Sequence, residues 1–202
     1  MKRMTYEIEP EDLSDVEKSA LALVGYSKGG RMDGDTRVQK LGFMAIKSSG
    51  NKDLDNDFDY RPHNFGPYSE NLDYGIQQLI DYGLVAPIGK PPKFVLTDDG
   101  KRVLNEIEEE DNVLADHIRE MVKDLEHLSN DDLISIVYEL YPTFTTNSII
   151  VDKVKFCKRS DAIHVPLAKL KEGGKVAVTS RCGVKVIASM VDGVLRLEQP
   201  RR

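Results

Sequence analysis

Between Asp57 and Leu104 the chain alternates helical patterning with breakers in an order that few folds accommodate. Asp57-Phe-Asp-Tyr-Arg-Pro-His-Asn-Phe-Gly-Pro-Tyr-Ser-Glu70 leads into an amphipathic stretch, and Tyr82-Gly-Leu-Val85 stops it. Gly66 and Pro67 predict a helix start, because proline at the first helical position forfeits no hydrogen bond and already has the right φ. Tyr68, Leu72, Ile76, Leu79 and Ile80 then recur at helical spacing, so a helix over 67–83 carries one apolar stripe. Gly83 supplies a left-handed stop. Leu84 to Ile88 and Phe94 to Leu96 read as strands joined by Gly89-Lys-Pro-Pro92. Thr97 or Asp98 can cap a following helix that buries Val103, Leu104 and Ile107.

Two further helices precede this run. Ser14-Asp-Val-Glu17 fits a capping box, in which hydroxyl and carboxylate satisfy free amides at a helix start. The helix behind it buries Val16, Ala20, Leu23 and Val24, and Lys28-Gly-Gly-Arg-Met-Asp-Gly34 breaks it. A second helix from about Thr36 carries Val38, Leu41, Met44 and Ala45 on one face, and Ser48 to Asp57 reads as a polar loop. Three helices and then a hairpin is the order of a winged helix, with Gly89–Pro92 as the wing. The expected fold class is α+β. A winged-helix-like domain with a long helical extension covers 1–151, and a small β-rich subdomain covers 152–202.

Downstream, the acidic run Glu108-Glu-Glu-Asp111 enters a long helix. Ile107, Leu114, Ile118, Met121, Leu125 and Leu128 are spaced 7, 4, 3, 4 and 3, a heptad seam. Such a seam either lies along the chain's own core or pairs with a second copy, and the latter predicts a homodimer. Ser129-Asn-Asp-Asp132 caps a helix carrying Leu133, Ile136, Val137 and Leu140, which ends before Pro142. Ile149 to Phe156 fits helix and strand alike. Lys175–Thr179, Val184–Ala188 and Val194–Leu197 are strand candidates, and Asp192-Gly193 is a hairpin turn.

Charge supports the boundary. The net charge is −6, yet residues 152–202 hold 12 Lys+Arg against 5 Asp+Glu, leaving 16 against 29 for 1–151. These give +7 and −13, an acidic body with a basic C-terminal quarter. No apolar run approaches the roughly 18 residues a membrane span needs, so no membrane partner is expected. Met1-Lys-Arg-Met-Thr-Tyr-Glu7 has no apolar stretch behind its basic residues and does not read as a secretory signal. Cys157 and Cys182 are the only cysteines and form neither a metal-ligand spacing nor a disulfide framework, so the cytoplasm is the expected compartment.

Asp53-Leu-Asp-Asn-Asp57 alternates carboxylates as a calcium loop does, but Phe58 and Asn64 stand where that loop needs glycine and glutamate. Gly173-Gly-Lys175 lacks the rest of a phosphate loop. His117 and His127, ten residues apart on one predicted helix, lie about 15 Å apart along its axis and cannot share a metal. His63, beside Asn64 and Tyr60, reads as a turn cap, and Ser69 does not sit in a nucleophile elbow. The expectation is a non-enzymatic protein with no cofactor and no metal.

Several short motifs carry a family likeness. Gln39-Lys-Leu41, Phe65-Gly-Pro-Tyr-Ser69, Leu79 with Tyr82-Gly-Leu-Val85, and Tyr138 to Ser148 with Tyr141-Pro142 and Asn147-Ser148 resemble the YwgA-like uncharacterised proteins. More distantly they resemble the Panacea (SocA-like antitoxin) domain. The likeness covers roughly residues 15 to 150 and implies a winged-helix-like α+β fold. The Panacea group implies partner proteins, as antitoxins and proteolytic adaptors bind; the basic tail departs from it. Within the tail, Ile163 to Val178 followed by Gly193 to Pro200 resembles the swapped-hairpin AbrB pattern, with Gly174 where aspartate is usual. A plain β-subdomain closing the fold is the other reading.

Function turns on the helix over 67–83. A DNA-reading winged helix places its third helix in the major groove and offers Arg, Lys, Asn or Gln to base edges. Here that helix holds Glu70, Asp73 and Asp81 with no Lys or Arg, so duplex phosphates repel it; only Gln77 and Gln78 are of the base-reading kind. The leading expectation is a transcriptional-regulator-like protein. Its contact with double-stranded DNA, if made, comes from Lys153, Lys155, Lys158 and Arg159 in the basic C-terminal part or from Lys90 and Lys93 in the wing. Arg31 and Arg37 are further phosphate candidates. The alternative is a protein-interaction module, antitoxin-like or adaptor-like, that docks a protein partner through Glu70, Asp73 and Asp81.

Overall fold

A computed structural model describes residues 7–109, 113–150, 170, 173–179, 185–192 and 194–198. They form a mixed α+β fold with a helical majority. In chain order the elements are α1 (Asp15–Tyr26), β1 (Arg31–Met32), α2 (Gly34–Ser49), α3 (Lys52–Phe58), β2 (Arg61–His63), β3 (Gly66–Tyr68) and α4 (Glu70–Asp81). After these come β4 (Val85–Ile88), β5 (Lys93–Leu96), α5 (Asp98–Glu109), α6 (Val113–Leu125) and α7 (Asn130–Leu140). A C-terminal sheet of β6 (Lys175–Thr179), β7 (Lys185–Val191) and β8 (Val194–Glu198) closes the order.

The predicted caps place the helices. The Ser14 hydroxyl accepts from the Glu17 amide at 3.3 Å, and the Glu17 carboxylate accepts from the Ser14 amide at 2.7 Å. α1 then buries Ala20, Leu21, Leu23 and Val24 completely and packs against α4, α5 and α6. Thr97 accepts from the Gly100 amide at the start of α5, and Ser129 accepts from the Asp132 amide at the start of α7. α5 comes so close to the loop before β4 that a Cβ on Gly100 would lie 2.1 Å from the Leu84 carbonyl oxygen.

Four expectations are corrected. Gly66 and Pro67 do not start a helix. They lie in β3, paired antiparallel with β2, with Pro67 opposite Pro62. Ser69 is the true N-cap of α4, its hydroxyl accepting from the Leu72 amide at 2.9 Å. The cause is tertiary: the Gln39 side chain of α2 accepts from the Ser69 amide and donates to its carbonyl, both at 2.9 Å, holding the chain extended up to the cap. Gly66 has φ +86°, and a Cβ there would meet the Tyr138 ring at 2.5 Å.

The acidic stretch before Asp57 is helix α3, not a loop. Asn51 caps it by accepting from the Asp53 and Leu54 amides, and carboxylates in its first turn suit the positive end of the helix dipole. The hairpin of β4 and β5 is part of a three-stranded sheet in the order β1-β5-β4, because the predicted breaker contains β1. The heptad stripe does not run along one helix: Ile107 belongs to α5, whereas Leu114, Ile118, Met121 and Leu125 belong to α6. Ile118, Met121, Leu125 and Leu128 are buried against this chain's own helices, with α6 packed on α1 and α2. That stripe is filled from within, so it does not provide the seam on which the homodimer was predicted.

The C-terminal sheet lies against α2, α6 and α7. Val178, Val186, Ala188, Leu195 and Leu197 form its buried face. Asp192 turns β7 into β8 at φ +53°, as the hairpin signal required.

Candidate functional site

α4 buries Leu72, Gly75, Ile76 and Leu79 and turns its other side to solvent. Taking about 100° per residue from Leu72, Glu70, Asp73, Tyr74, Gln77 and Asp81 fall between about 100° and 200°, on the side opposite the core. Tyr74 sits among them with 65% of its surface exposed. The face is therefore a large aromatic framed by carboxylates. Among the described residues Glu70, Asp73 and Asp81 make no ion pair, although Asp81 accepts a hydrogen bond from Gln77 at 3.2 Å.

Asp35, at the start of α2, adds a fourth carboxylate. Burial and then the neighbouring Asp73 hold its pKa above the usual carboxylate value. Tyr68 of β3 is linked to the same group: burial, then the Asp73 carboxylate, raise its phenol. Asp35, Glu70 and Asp73 thus gather at the N-terminal end of α4, while Asp81 lies 11 residues on, about 16 Å along the axis. Sequence reading named the three carboxylates of α4 but not Tyr74 or Asp35. For Tyr74 the signal was present, since it falls off the apolar stripe and nearly opposite Leu72. Asp35 required knowing how α2 packs.

The chain entering α4, from Pro67 to Ser69, is locked by polar contacts. Besides the Gln39–Ser69 pair, the Ser69 hydroxyl donates to the Phe58 carbonyl at 2.5 Å. Lys40, only 2% exposed, donates to the Pro67 carbonyl at 2.8 Å. Burial lowers the Lys40 pKa to about 8. The Gln39-Lys-Leu and Gly-Pro-Tyr-Ser motifs therefore face each other as a structural lock.

The remaining candidates disperse. Lys90 is exposed in the turn between β4 and β5, whereas Lys93 of β5 is paired with Asp33 at 2.8 Å. Arg31 is exposed on the adjoining β1. Arg37 is not a phosphate contact: its guanidinium donates to the Leu125, Glu126 and Leu128 carbonyls and to the Asn130 side chain, closing the C-terminal end of α6. Lys153, Lys155, Lys158 and Arg159 lie outside the described residues, as do Cys157, Cys182 and His164. His63 stacks at a tilt on Tyr68, centroids 5.1 Å apart. Among the described residues no three His, Cys, Asp or Glu side chains converge as a metal site, and no helix is long and apolar enough to cross a membrane. No protein-family model matches this chain, and no curated protein matches it.

Proposed function

We propose that this chain is a non-enzymatic regulatory protein built on a winged-helix-like unit, and that it acts by docking a basic partner protein on the outward face of α4. The winged-helix part is supported by order: α1, β1, α2, α4, β4 and β5 succeed one another, and the sheet runs β1-β5-β4. Within that order α3 and the β2–β3 ribbon are an insertion between the second and third helices. The observation that carries the docking role is Tyr74, 65% exposed and framed by Glu70, Asp73 and Asp81. Exposed tyrosines anchor protein interfaces, and a ring of carboxylates selects a cationic surface while rejecting nucleic acid phosphates. The resemblance to the Panacea domain points the same way. Pull-downs with full-length protein test the reading. A Glu70→Lys, Asp73→Lys, Asp81→Lys protein and a Tyr74→Ala protein both lose the same copurifying protein while keeping the wild-type melting curve. Retention of that protein by the triple variant sinks the proposal.

A second reading, contact with double-stranded DNA, rests on the wing, where Lys90 is exposed in the β4–β5 turn and Arg31 is exposed on β1 of the same sheet. Full-length protein with Lys90, Lys93, Lys153, Lys155, Lys158 and Arg159 all changed to Glu tests it. Duplex affinity falls, and the salt slope flattens by about 0.9 for each phosphate contact removed. An unchanged slope disposes of this reading.

A further inference from the structure

A cleft of about 340 Å³ opens where the α2–α3 junction, α6 and β8 meet, and it shares no lining residue with the outward face of α4. Its volume lies within the range of small-molecule sites, roughly 300–1,000 Å³. Three walls of different chemistry line it.

The first wall is an acceptor. His117 of α6 places Nε2 3.1 Å from the Ala45 carbonyl and 2.8 Å from the Ser48 hydroxyl. A carbonyl can only accept, so Nε2 carries the proton. Ser48 gives its own proton to the same carbonyl at 3.0 Å and accepts from the ring. Nδ1 is left as a bare acceptor without a partner among the described residues. Burial lowers the His117 pKa, which favours the neutral ring.

The second wall is an ion pair. Glu120 of α6 meets Arg196 of β8 across the cleft, both substantially exposed. One turn earlier, Asp116 is held by Arg119 at 2.5 Å. The third wall is apolar: Leu54 of α3, Leu114 and Val194 line it, and Val113 at the rim is 79% exposed.

We propose that this cleft binds a free α-amino acid with an aliphatic side chain. The ligand ammonium takes Glu120 and the His117 acceptor, its carboxylate takes Arg196, and its side chain covers Leu54, Leu114 and Val194. One surface ion pair is exchanged for two, and no charge is left uncompensated. The cleft spans the helical body and the C-terminal sheet, so the ligand joins the two.

Calorimetric titration of the full-length protein with L-leucine, isoamylamine and 4-methylpentanoate tests this. L-leucine binds, and each analogue, lacking one charged group, binds roughly ten- to hundredfold more weakly or not at all. Arg196→Met and Glu120→Gln, both at exposed positions, each weaken L-leucine by a similar factor while the melting curve of the free protein stays within a few degrees of wild type. The amine or the acid matching L-leucine overturns the proposal. So does the absence of heat with L-leucine, L-isoleucine and L-valine at about 10 mM, well above the millimolar range of a weak site. The Glu70, Asp73, Asp81 triple variant still binds L-leucine, so failure here and failure of the docking reading are separate results.

Discussion

At the N-terminal approach to α4, from Pro67 to Ser69, buried polar groups are matched partner by partner. Gln39 satisfies both backbone groups of Ser69, the Ser69 hydroxyl reaches the Phe58 carbonyl, and Lys40 reaches the Pro67 carbonyl. On the outer side Glu70, Asp73 and Asp81 make no ion pair among the described residues, and Tyr74 stands in solvent. Both sets are polar, yet they answer to different constraints. An unsatisfied buried group costs about 1–3 kcal/mol, so the inner set is dictated by folding. Hydrated carboxylates cost little, so folding does not dictate the outer set and it is open to a partner's demands.

Four measurements test this contrast. The largest effect is expected from Leu79→Ala, which empties a fully buried inner position and lowers the unfolding free energy by about 2–5 kcal/mol in urea titration. A loss below 1 kcal/mol would mean that α4 is not seated on the core.

The next concerns Lys40 and has a sign. Burial lowers its pKa from 10.5 to about 8 in the folded chain. Between those values the unfolded chain holds more protons, so stability rises with pH across the window. Relative to Lys40→Met, the wild type gains about 3 kcal/mol between pH 8 and 10.5. A difference that stays flat with pH contradicts a buried ammonium with a single carbonyl partner.

Gln39→Leu orphans the Ser69 amide and carbonyl and costs about 1–3 kcal/mol, with faster hydrogen exchange at Ser69. The smallest change belongs to the outer side: Tyr74→Ala alters stability by no more than about 0.5 kcal/mol. If Tyr74→Ala costs as much as Gln39→Leu, the buried and exposed polar sets do not differ as described.

Much of this was legible in the order of residues. Ser14, Thr97 and Ser129 cap as their positions require, because a capping side chain serves amides only two or three residues away. The β4–β5 and β7–β8 hairpins are equally local. Errors arose where distant partners decide. Pro67 carries a helix-start signal, yet Gln39, 30 residues before Ser69 in the chain, holds Ser69 extended. Arg37 looks like a free cation until the end of α6 comes to rest on it. The heptad of α6 has the right period for a second chain and is filled by α1 and α2 instead. The candidate site divides likewise: its carboxylates lie on one helix and were readable, whereas Asp35 enters only through packing.

The edges of the β1-β5-β4 sheet offer little to a further strand. Both of its outer strands are poor templates: β1 is two residues long, and β4 carries Pro87, which has no amide hydrogen to offer. An extended peptide cannot readily add itself as a further strand, and neither can a neighbouring molecule in a crowded solution. The edges of this sheet thus resist self-propagating association.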